Sequence, residues 1–345
     1  MTIVVKLGSS LVAGKGGSVR TTVLRRRARE IAAIVTGGEP VAVVSSGAIA
    51  LGLPHLGLER RPRALPKLQA ASALGQARLQ QAWERALARE GVLAAQILLT
   101  AADVGDRAAY VNARNAAEAL FALGAVPIVN ENDATATDEI AFGDNDALAA
   151  HVAILVRARL LVLLTEVDGV HTRAPGTPGA EVVREGSALD DVAFGDASQL
   201  GRGGMKSKVV AAHMASEAGI PTVIAEGTGP DVLGPILAGE PRGTRFHGGD
   251  RELSAYKLWL RFAKEPVGAL HVDDGARRAV VDDGRSLLAV GVTWCEGRFD
   301  AGDAVELVGP DGVAFARGVA GASASEIAER SAGHEAVHRD RLVVY

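Results

Sequence analysis

The hydrophobic positions fall into two regimes along the chain. Through residue 246, short β-branched runs alternate with stretches in which apolar residues recur every three to four positions, so strands alternate with helices. Ile3, Val4 and Val5 open a first strand that breaks at Lys6-Leu7-Gly8-Ser9-Ser10. Val23, Leu24, Ile31, Ile34 and Val35 predict a helix stopped by Gly37-Gly38, and Val41, Val43 and Val44 a second strand ending at Ser45-Ser46-Gly47. A long helix is predicted over 64–90, with Leu65, Leu68, Leu74, Leu79, Trp83 and Leu87 as its buried stripe. Further strands are predicted at 92–99, 126–129, 160–164, 221–225 and 243–246, and helices at 106–123, 147–156, 209–218 and 231–237. Beyond residue 266 the alternation stops. Short apolar runs there are separated by Asp274-Gly275, Asp283-Gly284, Glu296-Gly297 and Asp311-Gly312, the punctuation of a small β-rich unit. The expected organisation is an α/β domain over 1–250 with a mainly parallel sheet sandwiched by helices, a linker over 251–265 and a β-rich domain over 266–345.

Composition narrows the choices. The chain has 345 residues, 48% hydrophobic and 23% charged, ordinary for a globular protein of two domains. A net charge of -4 supplies no whole-chain attraction to nucleic acid or an anionic membrane, which favours small-molecule chemistry. The run Arg25-Arg26-Arg27 reads as the solvated face of its helix. Cys295 is the single cysteine, so no intrachain disulfide can form, and no charged-then-apolar leader or long apolar span is present. The expected compartment is the cytoplasm.

The polar clusters lie where strands end. In a parallel α/β sheet ligands bind beyond the carboxyl ends of the strands, and there Lys6 and Gly8 offer a cation and a flexible turn to a phosphate. Ser46-Gly47 feeds a helix whose free N–H groups favour an anion, although Ser46 also suits a plain cap. The polar loop from Asn130 through Asp133 to Asn145 and Asp146 admits three roles: capping the helix that follows, holding a metal, or binding a substrate amine and orienting lysines. Capping accounts for one residue of the cluster, not for Asp133, Asn145 and Asp146 together. A second glycine-rich, cationic helix entry runs from Gly201 to Lys208. Neither G-x-x-x-x-G-K-[ST] nor a G-x-G-x-x-G after the first strand is present, so neither a P-loop nor a dinucleotide-binding fold is supported. His334-Glu335-Ala336-Val337-His338 satisfies H-E-x-x-H, but the zinc motif requires a helix, and this copy follows Gly333 and runs into an apolar terminus.

Taken in order, Val4-Val5-Lys6-Leu7-Gly8-Ser9-Ser10, Ser45-Ser46-Gly47-Ala48-Ile49-Ala50, Val129-Asn130-Glu131-Asn132-Asp133, Gly143-Asp144-Asn145-Asp146, Gly203-Gly204-Met205 with Lys208, and Ala336-Val337-His338-Arg339-Asp340 resemble the glutamate 5-kinase branch of the amino acid kinase family, with a C-terminal PUA-like domain. Each motif is weak alone; their order and spacing separate this branch from the acetylglutamate, aspartate, uridylate and carbamate kinases. The resemblance implies ATP-dependent phosphorylation of the glutamate γ-carboxylate, with Mg²⁺ arriving on ATP and no protein-held metal. It implies that Lys6 and Lys208 flank the transferring phosphoryl group and that Asp146 holds them. Gly8, Ser9, Thr165, Glu166, Arg202, Gly203, Gly204, Met205, Lys206 and Ser207 would then line the nucleotide, and Ser46, Gly47, Asn130, Asp133 and Asn145 would bind glutamate. Glu166 stands where the branch carries aspartate, and Arg202 and Lys206 stand where it carries small hydroxyl residues.

The same resemblance implies feedback inhibition by proline, a downstream glutamate 5-phosphate reductase as a partner, possible direct contact with it, and assembly as a homo-oligomer, a dimer or tetramer. PUA domains elsewhere bind RNA, which leaves an RNA-binding regulatory protein as the alternative. Residues 266–345 carry eight Lys and Arg against thirteen Asp and Glu, which opposes a phosphate-binding surface.

Overall fold

A computed structural model describes residues 1–58, 60–135, 145–188, 204–249, 253, 255–262, 264–329 and 334–345. The chain divides into two compact units, Met1–Glu252 and Leu253–Tyr345.

The first unit is built on a seven-stranded sheet of β1 (Thr2–Leu7), β2 (Val41–Ser45), β3 (Ala94–Leu99), β4 (Val126–Glu131), β5 (Ala158–Thr165), β6 (Thr222–Glu226) and β7 (Thr244–Phe246). Their order is β3-β4-β2-β1-β5-β6-β7. Neighbours run parallel except β6 and β7. From β1 the chain builds outward on one side through β2 and on the other through β5, so the direction of winding changes between β1 and β5. A crevice opens at such a point, beyond the carboxyl ends of the strands. All six residues of β1 are buried, as expected of a central strand covered on both faces.

The principal helices are α1 (Thr21–Thr36), α2 (Ala48–Gly52), α3 (Leu65–Ala88), α4 (Arg107–Ala122), α5 (Asn145–Leu155) and α6 (Met205–Glu217). Ile3, Val5 and Leu7 share a core with Leu24 and Ile31 of α1 and with Leu79 and Trp83 of α3. Helix α5 lies against β1, β2 and β5 and buries Leu148 and Val152.

The buried face of α3 departs from the predicted stripe. Leu74 is 44% exposed, and the inward face instead carries Ala71, Ser72, Gly75, Gln76, Leu79, Gln80, Trp83, Ala86 and Leu87. The reason is the close approach of α2. A Cβ on Gly75 would stand 1.8 Å from the Ala48 carbonyl oxygen, and one on Gly52 would stand 1.8 Å from that of Ala71. Only glycines let the two backbones meet there.

The arginine run also departs from expectation. Arg27 is fully buried, pairs with Glu30 at 2.9 Å and donates to the Gly229 and Pro230 carbonyls at 2.7 and 3.0 Å. Arg26 donates to the Thr228 carbonyl. Arg25 and Arg26 keep the solvated placement predicted for all three, and Arg27 does not. The run therefore ties α1 to the segment after β6.

The second unit is a six-stranded sheet in the order Leu287–Leu288, Glu335–Val344, Ala314–Ala320, Ala304–Val308, Gly268–Val272, Val292–Gly297, around a core that includes Leu270, Leu307, Ala316 and Val337. Inside the stretch expected as a linker, Ala255–Phe262 is a helix of this unit. Arg261 donates to the Val344 carbonyl, and Arg317 donates to the carbonyls of Arg261 and Lys264. His338 lies within a strand, which removes the helical register that H-E-x-x-H requires. Among the described residues no helix is long and apolar enough to cross a membrane.

Candidate active site

The carboxyl edge of the sheet gathers residues from widely separated parts of the chain. Lys6, near the end of β1, is 4% exposed, and its ammonium donates to Asp146 Oδ1 at 2.5 Å. Asp146, in the first turn of α5, is fully buried. Its other oxygen, Oδ2, accepts from Lys208 Nζ and from Ser207 Oγ, each at 3.0 Å. Lys208 and Ser207 sit in the first turn of α6, whose N-cap is Gly204, and helical side chains lean toward the N-terminus, which brings Lys208 back to the sheet edge. The Gly204 carbonyl lies 2.9 Å from the same Ser207 Oγ, so the single hydroxyl proton is shared between it and Asp146.

Charge dictates how this cluster behaves. Burial alone would raise the pKa of Asp146; the two ammoniums and their hydrogen bonds outweigh that cost and lower it to about 2. Among the described residues, the site sets one buried carboxylate between two buried ammonium groups, a cluster of perturbed ionised side chains that marks a candidate functional site.

Gly8 adds a geometric requirement. Its backbone, φ −66° and ψ 157°, is open to any residue, and a Cβ there would meet only the Leu164 carbonyl oxygen at 3.8 Å. Among the described residues nothing crowds a side chain at this point, which leaves the Gly8 backbone open to the approach of a ligand. Ser9 begins the short helix Ser9–Val12, with Gly8 at its N-cap.

On the β2 and β4 side the structure forms a chain of amides. Asn145 Nδ2 donates to Asn130 Oδ1 at 2.7 Å, Asn130 Nδ2 donates to Gln76 Oε1 at 2.8 Å, and Gln76 Nε2 reaches Gln96 Oε1 at 3.2 Å. Nearby, Ser72 Oγ donates to Asp133 Oδ2 at 2.7 Å. Ser46 N–H donates to the Leu7 carbonyl, and Gly47 turns into α2 with φ +111°, a left-handed conformation that strains other residues. Asn130 and Asn145 thus share one network, beside the Asp146 triad through the adjacent residues of α5, and Asp133 is held next to it by Ser72, one helical turn before Gln76.

Ser72 and Gln76 were not singled out as site residues on sequence grounds. The available signal was the polar set Ser72, Gln76 and Gln80 at four-residue spacing on the face that also carries Leu79, Trp83 and Leu87. Polar residues within a buried helical face need partners there.

The remaining expected residues distribute as follows. Thr165 ends β5, and its carbonyl accepts from Gly227 N–H at 2.8 Å. Glu166 is exposed and accepts from Arg20 Nη1 at 2.9 Å, and the same Arg20 nitrogen donates to the Ser10 carbonyl at 2.6 Å. Arg20, also not anticipated, thereby joins the turn after β1 to the turn after β5. Met205 opens α6 and Lys206 is exposed on it. Arg202 and Gly203 lie outside the described residues.

Residues 1–226 match the model of the amino acid kinase family. This chain belongs to the amino acid kinase family. The match includes Lys6, Asp146 and Lys208 and ends with β6 of this kinase domain. Residues 268–342 match the PUA domain, covering all but the flanks of the six-stranded sheet. Among curated relatives, the glutamate 5-kinase of Geobacter sp. strain M21 is 40% identical over 99% of this chain and 92% of its own length. The glutamate 5-kinase of Burkholderia multivorans is 42% identical, covering 99% and 97%, and that of Thermus thermophilus 43%, covering 99% and 96%. Each of these alignments runs through both the kinase-family and the PUA regions of this chain.

One further residue of the kinase domain responds to pH. Burial lowers the pKa of His151, on α5, from 6.5 to about 4. A group whose pKa falls on folding stabilises the fold fully above its unfolded pKa and loses that contribution as pH drops through the folded value. Stability is thus expected to fall between pH 6.5 and 4, before the Asp146 window that runs from 3.8 to about 2. Urea midpoints at pH 7 and 5 check this: the difference shrinks in His151→Leu, and an unchanged difference would remove His151 as its source.

Proposed function

We propose that the protein is a glutamate 5-kinase, transferring the γ-phosphoryl group of ATP to the γ-carboxylate of L-glutamate to give γ-glutamyl phosphate and ADP, the first step toward proline. The observation that carries the reading is the buried Lys6–Asp146–Lys208 triad at the crevice of the sheet, in a chain 40–43% identical to glutamate 5-kinases over nearly its full length.

A carboxylate nucleophile has a reference pKa of about 4.3 and is ionised at neutral pH, so no general base is required. What remains is positioning and charge neutralisation. Lys6 and Lys208 would offset the charge spread over the phosphoryl oxygens, and Asp146 would hold both ammoniums in place. The open backbone at Gly8, with Ser9 and the Gly203-Gly204-Met205 entry to α6, would approach the phosphates. Thr165 and Glu166, at the end of β5, and Arg202 and Lys206, near α6, would border the rest of the nucleotide. Mg²⁺ would enter as part of the MgATP substrate. This fits the donor set: Asp146, the buried carboxylate of the triad, already has both oxygens engaged by lysines and Ser207, and Mg²⁺ bound to phosphates needs few protein ligands.

Glutamate would lie over the amide network, with Asp133 facing its ammonium and Asn130, Asn145 and the Ser46-Gly47 helix entry its carboxylates. Proline shares the α-amino and carboxylate groups and would inhibit at or over that site. A homo-oligomer and contact with the reductase that consumes the product complete the reading.

The test is trapping of the acyl phosphate as a hydroxamate, with MgATP and L-glutamate, aspartate or N-acetylglutamate. Glutamate is expected to be the productive acceptor and proline to suppress the signal. Turnover with a different acceptor and none with glutamate would reassign the chain to another branch of the family.

Gly8→Ala gives a second check. Because a Cβ at Gly8 meets no crowding within the protein, the variant is expected to fold with an unchanged Tm while KM for ATP rises about tenfold, the cost of roughly 1.4 kcal/mol in binding. An unchanged KM would place the phosphates elsewhere.

A further inference from the structure

Between α1 and α3 lies a groove of about 390 Å³ lined by four arginines: Arg25 from α1, Arg78 and Arg85 from α3, and Arg89 at its C-cap. The spacing on α3, seven residues and then four, places its three arginines along one face. Buried Leu24 and Ala86 form part of the floor.

Among the described residues these four arginines differ from their neighbours in having neither a hydrogen-bond nor an ion-pair partner. Arg26 and Arg27 donate to backbone carbonyls after β6, and Arg29 faces Glu90. Glu30 is engaged by Arg27 and by the Val232 and Leu233 N–H groups, and Glu84 accepts from Gln80. Among the described residues, no carboxylate pairs with Arg25, Arg78, Arg85 or Arg89. The whole chain is net negative, so a pocket of four unpaired cations opposes the average charge, and its like charges repel unless an anion joins them.

We propose that this groove is a second anion site of the kinase domain, separate from the sheet crevice, and that it takes a small polyphosphorylated molecule. Planar guanidinium forks bind phosphate oxygens in pairs, which suits several phosphates on one ligand. A volume near 400 Å³ with an apolar floor suits a nucleotide-sized molecule, with phosphates against the arginines and a ring over Leu24 and Ala86.

The experiment uses the full chain and inorganic tripolyphosphate as the probe, titrated calorimetrically into wild type and into an Arg78→Gln/Arg85→Gln double variant. Both positions are exposed, so the variant is expected to keep its fold and its KM for ATP. Wild type is expected to bind tripolyphosphate at two kinds of site. The double variant is expected to lose one of them, with affinity reduced more than tenfold and the remaining site unchanged. Equal titrations of the two proteins would overturn the proposal. So would a change of oligomeric state on size exclusion with tripolyphosphate binding intact, which would make the groove an interface between copies of this chain.

Discussion

Lys208→Ala is expected to lower kcat by roughly 10²–10³, the scale for removing one preorganised stabiliser of transition-state charge. Lys208 is 7% exposed and fixed at 3.0 Å from Asp146 Oδ2, so its ammonium needs no reorganisation when charge develops on the phosphoryl oxygens. Asp146 keeps Lys6 as a partner in the variant, and the fold is retained, which a Tm measurement verifies. Steady-state hydroxamate kinetics separate the readings. A loss confined to kcat places the cation at the transferring group; a change in KM alone would make Lys208 a binding residue only and undo the assignment.

The second large effect lies away from charge. Gly75→Ala is expected to destabilise the protein by about 3 kcal/mol, at the upper end for overpacking, and also to raise KM for glutamate. Alanine is the better helix former by about 1 kcal/mol, so propensity alone predicts the opposite sign. The methyl would stand 1.8 Å from the Ala48 carbonyl oxygen, a backbone atom that cannot rotate away. Relief requires α2 to lift from α3, and α2 is entered directly from Ser46-Gly47. Denaturant unfolding together with KM for both substrates tests the coupling. A stabilised variant would mean that the two helices do not meet as described, while a destabilised one with unchanged glutamate KM would separate the crossing from the substrate side.

What could be read beforehand, and what could not, follows from how each residue violates its local pattern. Lys6 stood out because the apolar run of the first strand breaks there into a glycine turn that offers a cation to a phosphate, and Asp146 because a helix cap could not account for every polar residue around it. Asp133, Asn130 and Asn145 were legible as a cluster, but the chain from the two asparagines to Gln76 and Gln96 and the bond from Ser72 to Asp133 were not, since helical periodicity assigns polar positions to solvent unless the face they occupy is known. Leu74 was misplaced for the same reason: the true inward face is built from small residues that a hydrophobic stripe passes over. Arg27 was assigned to solvent with its neighbours because three consecutive charges look alike in sequence; only the position of the carbonyls after β6 distinguishes them. The Arg20–Glu166 tie joins residues 146 apart, and no local rule connects them.

The triad has a consequence for how the chain is made. Its cations are separated from Asp146 by 140 and 62 residues, and β1 requires β5 beside it before Lys6 is enclosed. A carboxylate buried without its cations is costly, so this corner of the sheet gains its stability only when all three parts have come together. During synthesis, the N-terminal half can collapse and form helices, but Lys6 meets its carboxylate only once the segment bearing Asp146 has emerged, and Lys208 joins 62 residues later. The triad is thus completed only after both neighbours of β1 have been made, so a chain cut short before α6 would carry the centre of the sheet without its second cation.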